Sequence, residues 1–492
     1  MQLGKREQGD GRAARGRDGA RRFLVLADLG GRQSRDVLEP GDGLAARALI
    51  RVRQESFDAA VAAVAPRLAL PAAFVGAAGP PREITCLAEL HPDTLFRRLA
   101  IFRDPPRAPV AAGVVPVREV DADDVARLLG RRPAAPAAAE PRRGPTAVVD
   151  ALIGQIFNAG VADAGPRPEA PLDAGTLGRT MRAVLRDPGL QAHEASWRAL
   201  ELLVSRVDEE TEIWLLDVSR AELAVDLLGS DGASAVAGGD TDAAARARVT
   251  AVEASGLARR LLAAPGGRRW AAVIADFAFG PGAMDIALLE RLGALSARLG
   301  APCLAGAAPA LVGCRSLEGQ ADPARWPALA SEDAARWRAL RRGPDAAWLG
   351  LALPRFLCRA PYGAKTGPID AFPFEEIGDR PEADALPWAS SAFLAALVLS
   401  RTMAAGDAAD DGDGDGGEID DLPYFSFRAE GEVEMYPTAE AFWGQRAADA
   451  ALARGLMPVL SVRDRNAVRL VRLQSIADPP GALGDTASGD RG

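Results

Sequence analysis

The residues with most to offer chemically are few. Gly363-Ala364-Lys365-Thr366 has the outline of a phosphate-binding loop, in which glycines let backbone N–H groups wrap a phosphate and a lysine neutralises it. Ala364 stands where the glycine before the lysine is needed, Arg359 stands at the first glycine position, and Pro361 and Pro368 break the strand-loop-helix context, so the segment reads as an ordinary ordered loop. Asp411, Asp413, Asp415 and Gly416 match the opening half of a calcium loop, but Leu422 takes the place of the closing bidentate glutamate and Glu418 replaces the apolar eighth position. That stretch reads as a solvated acidic linker. Gly229-Ser230-Asp231-Gly232 lacks the first glycine of a nucleophile elbow, since Leu228 sits there. His193-Glu194 has no second histidine four residues on, so it is not a zinc-protease helix. His193 reads as a half-exposed helix position and His91-Pro92-Asp93 as a turn.

Cys86, Cys303, Cys314 and Cys358 form no CxxC clip, and with only two histidines they supply no four-ligand structural zinc site. They read as buried or idle thiols in a reducing compartment. Asp217 and Asp276 lie in or at the ends of apolar runs, where α/β enzymes keep ligands. Nothing assembles a nucleophile, base and oxyanion hole around them. No catalytic residue, cofactor or metal is expected.

The elements that would position these groups follow from periodicity. FLVLADL at 23–29, closed by Gly30 and Gly31, is a buried strand and turn. Phe57, Val61, Val64 and Leu68 recur at helical spacing, with Ser56 available as a cap. Phe23, Val25 and Leu26 of the strand, with Phe57, Val61 and Val64, are expected to form the core of an N-terminal module and its docking face on a larger domain. Residues 108–145 turn to Ala, Pro and Arg, too rich in proline to hold a helix. Within 146–158, TAVVDALIGQIFN, the residues Val149, Leu152, Ile153, Ile156 and Phe157 share one helical face, flanked by proline-rich stretches. Thr176 to Arg206 is a helical tract interrupted near Asp187-Pro188-Gly189. Beyond it IWLLDV, AAVIADFAF, CLAGA and WLGLAL alternate with helical patterns. Strands apolar throughout and spaced by helices predict an α/β fold with a largely parallel sheet covered on both faces.

The organisation expected is a disordered arm at 1–22, a small domain at 23–107, a linker with a short helix at 108–170, the main α/β domain at 171–405, an acidic Gly-rich linker at 406–421, a strand-rich C-terminal unit at 422–476 and a disordered tail at 477–492. The 492 residues are 48% hydrophobic and 25% charged, and the formal net charge of -9 disfavours a surface built to hold nucleic acid or an anionic membrane. Arginine carries nearly all the positive charge, the two lysines being Lys5 and Lys365. The apolar run after the charged N-terminus is too short for a secretory signal, and residues 57–80 are interrupted by Asp58, Arg67 and prolines, so a cytoplasmic protein is expected.

Several of these segments resemble the two sheath proteins of bacterial type VI secretion systems. FLVLADLGGR (23–32), ESFDAAVAAVAPRLAL (55–70) and LAELHPDTLFRRLAIF (87–102) are similar, in order, to the small sheath subunit. VLRDPGLQAHEASWRALELLVSR (184–206), LLDVSRAEL (215–223), residues 274–311, residues 337–376 and MYPTAEAFWGQRAADAALARGLMPVL (435–460) are similar to the large one. The most specific piece is a signature loop of Pro354, Arg355, Phe356, Pro361, Tyr362, Gly363, Lys365, Thr366, Phe372, Phe374, Glu375 and Glu376, which the resemblance makes structural. What the resemblance implies is a fusion of small and large subunits that polymerises into a helical tube. That tube would surround an inner-tube protein, attach to a baseplate and contract to deliver effectors. The family's contracted sheath is recycled by a hexameric unfoldase ATPase that grips a short helix, for which 146–158 is the best match. Such a machine needs two packings of similar free energy and open-ended heterologous contacts, with no bond chemistry. The alternatives are a non-contracting sheath-like cap or adaptor, and an α/β enzyme with unrecognised catalytic residues.

Overall fold

The computed structural model describes residues 20–75, 82–102, 173–229, 250–263, 268–378, 381–405, 416–429 and 432–484. Nine strands form one mixed sheet: β1 (Arg21–Ala27), β2 (Ile50–Val52), β3 (Thr211–Asp217), β4 (Ala272–Phe279), β5 (Cys303–Ala307), β6 (Leu349–Leu353), β7 (Glu418–Ile419), β8 (Met457–Ser461) and β9 (Val468–Leu470). Their order across the sheet is β7-β9-β8-β6-β5-β4-β1-β3-β2. The run from β3 to β8 is parallel, whereas β2, β9 and β7 pair antiparallel at the two margins.

The strand nearest the N-terminus is therefore in the middle. All of β1 pairs with β3, from Arg21 opposite Thr211 to Ala27 opposite Asp217, and Phe23 to Leu26 also pair with β4. A parallel strand in that place is covered on both faces, which is why FLVL is apolar without alternation. Phe23, Val25 and Ala27 enter the cluster on one face; Leu24 and Leu26 enter the cluster on the other. Phe23, Leu24, Val25 and Leu26 are fully buried, and each such side chain is worth ~1.5–3 kcal/mol of burial.

The first face is covered by α1 (Phe57–Val64), α2 (Ala174–Leu185), α3 (Pro188–Arg206) and α7 (Ala392–Ala405); the second by α4 (Arg220–Leu228), α5 (Ala283–Leu299), α6 (Ser331–Arg342) and α8 (Gln445–Ala453). Ser56 is the N-cap residue of α1 but its side chain makes no capping hydrogen bond. Asp173 and Asp187 do cap, accepting from Thr176 N and Leu190 N, so the break near Pro188 is a helix end followed at once by a helix start. β8 and β9 extend the sheet, so residues 422–476 share its core with residues 23–102 and 173–405. No helix among the described residues is long and apolar enough to cross a membrane.

Phe57 is 8% exposed and its ring meets Trp197 edge-on at 5.8 Å. Phe57→Asp places an unpaired carboxylate in that wall and is expected to lower unfolding free energy by ~3 kcal/mol or more. Chemical denaturation followed by tryptophan fluorescence measures it, and wild-type stability in the variant would overturn this packing.

Candidate functional site

Among the described residues no group of three or more His, Cys, Asp and Glu is placed to hold a metal. Burial pushes the Cys303 and Cys358 thiols up to about 12, the wrong direction for a nucleophile. Asp217 is raised to about 6, first by burial, and its Oδ1 accepts from Gly30 N at 2.6 Å. Burial likewise raises Asp276 to about 6, with Ser196 as its hydrogen-bonding neighbour. The half-motifs at Ser230–Gly232 and Asp411–Asp415, and the helix candidate Val149, Leu152, Ile153, Ile156 and Phe157, lie outside the described residues.

The signature loop leaves the sheet directly after β6. Pro354 follows a cis peptide and its carbonyl accepts from Ser391 Oγ. Arg355 makes a two-pronged pair with Glu440, at 2.9 and 2.6 Å. Phe356 is buried and pairs antiparallel with Ala389. Arg359 then turns into the interior. Its Nε donates to Glu194 at 2.8 Å, and its Nη1 and Nη2 donate to the two oxygens of Glu376 at 2.7 and 2.9 Å. Arg198 donates to the same Glu194 oxygen at 2.8 Å, and Tyr362 N donates to Glu376 at 2.7 Å. The Arg359 guanidinium also lies 4.1 Å from the centre of the Tyr362 ring. Burial alone would raise the Glu194 carboxyl, but the neighbouring Arg359 and Arg198 outweigh it and hold it below the usual carboxylate range.

The part that looked like a phosphate loop is closed from within. Gly363 N donates to Thr366 O, Thr366 N returns to Gly363 O, and Thr366 Oγ1 donates to Pro361 O at 2.6 Å. Ala364 N donates to Glu375 Oε1 at 3.0 Å, so a carboxylate occupies the place of an anion. A Cβ at Gly363 would displace that carboxylate, so a larger residue there would cost the Ala364–Glu375 hydrogen bond unless the Glu375 side chain turned aside. Lys365 is exposed. Phe372 and Phe374 are buried edge-on at 5.8 Å.

The N-terminal segment is bound to this loop. The expected turn at His91-Pro92-Asp93 is the N-terminus of a helix, Pro92–Arg98, with His91 as its cap. Asp93 accepts from Asp370 N and Ala371 N at 3.0 and 2.9 Å, and the His91 ring meets Tyr362 edge-on at 5.0 Å. A second buried cluster repeats the logic. Glu222, fully buried in α4, accepts from Arg32 at 2.7 and 2.8 Å, from Arg47 at 2.8 and 3.1 Å and from the backbone of Glu39 and Ser219. Burial pushes its carboxyl up, but these donors hold it at about 2. Of the expected packing residues, Phe23, Val25, Phe57 and Val61 join the first face, Val64 packs against it, and Leu26 faces the other side.

Arg359, Glu194, Arg198 and Glu222 were not singled out from the sequence; their partners lie far along the chain, and only the i, i+4 spacing of Glu194 and Arg198 hints at a pair. His193 is corrected from half-exposed to buried, at 4% exposure, with no hydrogen-bond partner at either ring nitrogen among the described residues.

A sheet of this order with a structural loop at its centre is the setting for comparison with known proteins. Residues 258–477 match the family described as VipB, EvpB-type tail sheath N-terminal domain. Over 321 residues the chain is 29% identical to the type VI secretion system sheath protein TssC1 of Pseudomonas aeruginosa, a match covering 63% of this chain. The chain spans 61% of the length of that relative. The two matches support a type VI secretion sheath protein.

Two outcomes follow from the buried charges. Arg359→Ala leaves Glu194 and Glu376 short of a partner inside the protein and is expected to cost ~3–5 kcal/mol. Arg186→Ala, which breaks the exposed pair with Glu382, should cost less than ~1 kcal/mol; equal effects by urea denaturation would contradict the network's role. Burial lowers the pKa of His193 from 6.5 to about 4. Its contribution to stability is therefore complete above 6.5 and is lost as pH falls through 6.5 toward 4, because the unfolded chain takes up the proton first. His193→Leu should gain stability relative to wild type over that window, and a constant difference between the two proteins from pH 7 to 4.5 would refute it.

Proposed function

We propose that this chain is a structural component of a type VI secretion sheath in which a small-subunit-like segment and a large-subunit-like body are joined in one polypeptide. The observation that carries the reading is the position of β1. Residues 258–477, matched by the sheath family, supply β4 to β9, and the segment resembling the small subunit supplies the strand beside β4. The two parts thus fold around shared cores, which supports a fused protomer with fixed one-to-one stoichiometry.

In this reading the chain polymerises in the cytoplasm into a helical tube around an inner-tube protein and contracts from a baseplate to drive effector delivery. It makes and breaks no bond. A sheet and cores shared by both parts suit a protomer that moves as a unit, with the free energy of contraction residing in contacts between copies. The signature loop is interior scaffolding: Arg359 and Glu376 hold it against α3, and Asp93 holds the N-terminal segment against it. Residues 146–158 are the candidate handle for an unfoldase ATPase.

Negative-stain microscopy of the purified chain is expected to show hollow tubes of uniform diameter. Short particles that never elongate would instead assign it to a cap or adaptor, and a discrete particle that turns over a small molecule would assign it to an enzyme class.

A further inference from the structure

The turn that carries the chain out of β1 is held by two aspartates. Asp217, the last residue of β3, accepts from Gly30 N at 2.6 Å, and Asp28 accepts from Arg32 N and Gln33 N at 2.6 and 2.9 Å. The fit is close. A Cβ at Gly30 would come within 2.3 Å of Asp217 Oδ2, and one at Gly31, where φ is +68°, within 2.5 Å of Arg67 O. On its other side Gly30 O accepts from Arg67 N at 3.0 Å, at the start of the two-residue strand Arg67–Leu68 that pairs with Arg82–Glu83. Through a single residue, Asp217 therefore grips the part of the N-terminal segment that lies outside the large sheet.

The charges around the two acids do not balance. Arg32 and Arg47 reach this corner, but each is committed to Glu222 and Glu39. Burial opposes it, yet these arginines keep Glu222 ionised, and Arg32 does the same for Glu39. Arg35 donates to the carbonyls of Gly31 and Gly30, and Arg67 faces Glu83. From α3 it is the uncharged Trp197 that meets the turn, donating to Leu29 O. Neither Asp28 nor Asp217 has an ion pair among the described residues; backbone N–H groups serve both. Burial, reinforced by Asp28, outweighs the Gly30 bond and raises Asp217 from 3.8 to about 6, and burial raises Asp28 as well. Both side chains are half-buried, so protons from solvent reach them.

We propose that Asp217, with Asp28 beside it, is a proton-operated clasp: protonated, it holds Gly30 and through it the Arg67–Leu68 strand, and ionised, it lets both open while the sheet stays closed. A protonated carboxyl still accepts from Gly30 N through its carbonyl oxygen, without facing the Asp28 charge. The closed turn binds the proton more tightly than the open one. The clasp's contribution is therefore complete below 3.8 and is lost as pH rises through 6. It does not depend on the sheath reading.

Hydrogen exchange of the full chain, read as protection factors so that the intrinsic pH dependence of exchange cancels, tests the clasp. Peptides covering 28–35 and 65–70 should lose about tenfold in protection between pH 5 and pH 8, while those covering 22–27 and 272–275 keep theirs. Asp217→Asn keeps an acceptor for Gly30 N and carries no charge, so at pH 8 it should retain the protection that the wild type shows at pH 5. Asp28→Asn, which removes the neighbouring charge, should shrink the loss and does not depend on how Asp217→Asn folds. Equal wild-type protection at the two pH values would overturn the proposal. So would a loss that persists undiminished in both variants, or one shared by 22–27 and 272–275, which would mean that the whole sheet opens.

Discussion

The structure depends on one strand being where it is. β1 lies between β3 and β4 and hydrogen-bonds to both, although nearly two hundred residues separate it from β3 in sequence. A parallel strand in the centre of a sheet must be apolar on both sides and must be covered on both sides. Removing β1 would leave β3 and β2 without contact with the rest of the sheet and open both cores at once. At its N-terminal end the Arg22 guanidinium lies 4.6 Å from the ring centres of both Trp214 and Trp270, and Arg21 pairs with Asp208 at 2.6 Å. Trp197 donates to Leu29 O at 3.1 Å just beyond its C-terminal end. The sequence that enters the sheet is thus held along its length.

Two buried carboxylate clusters finish what β1 begins. Apolar contacts are non-directional, so burying FLVL fixes the strand's depth better than the path of the chain after it. Glu222 accepting from Arg32 and Arg47 fixes the path from β1 to β2, and Asp93 with the Arg359 cluster fixes the last turns before Phe102. Arginine suits both places because its planar fork meets two oxygens at once and stays charged when buried. Their contribution is one of register as much as of net stability, since the desolvation of buried ions offsets much of their attraction.

Much of this was legible in the sequence and some was not, for physical reasons. The apolar runs at 213–218, 271–279, 303–307 and 348–353 lie on strands to within two residues at either end, because a doubly covered parallel strand has no alternation to mislead. Their order could not be read: runs of the same composition are interchangeable until backbone pairing chooses among them. Helix α7, AFLAALVLSRTMAA, was missed because it is apolar nearly all round and shows no helical stripe. His193 was read as half-exposed, yet both it and its neighbour Glu194 are buried, the carboxylate neutralised by Arg359 from 165 residues away. Such a partner leaves no local trace.

The central claim, that the N-terminal segment is integral to one cooperative body, is tested most directly by native-state hydrogen exchange in graded denaturant. Amides of Phe23 to Leu26 should be among the slowest in the chain and should open together with those of Ile213 to Leu216 and Val273 to Ala275, at the free energy of global unfolding. Exchange of residues 23–26 at a distinctly lower free energy, with β3 and β4 still protected, would contradict the account and make the N-terminal segment a separable appendage.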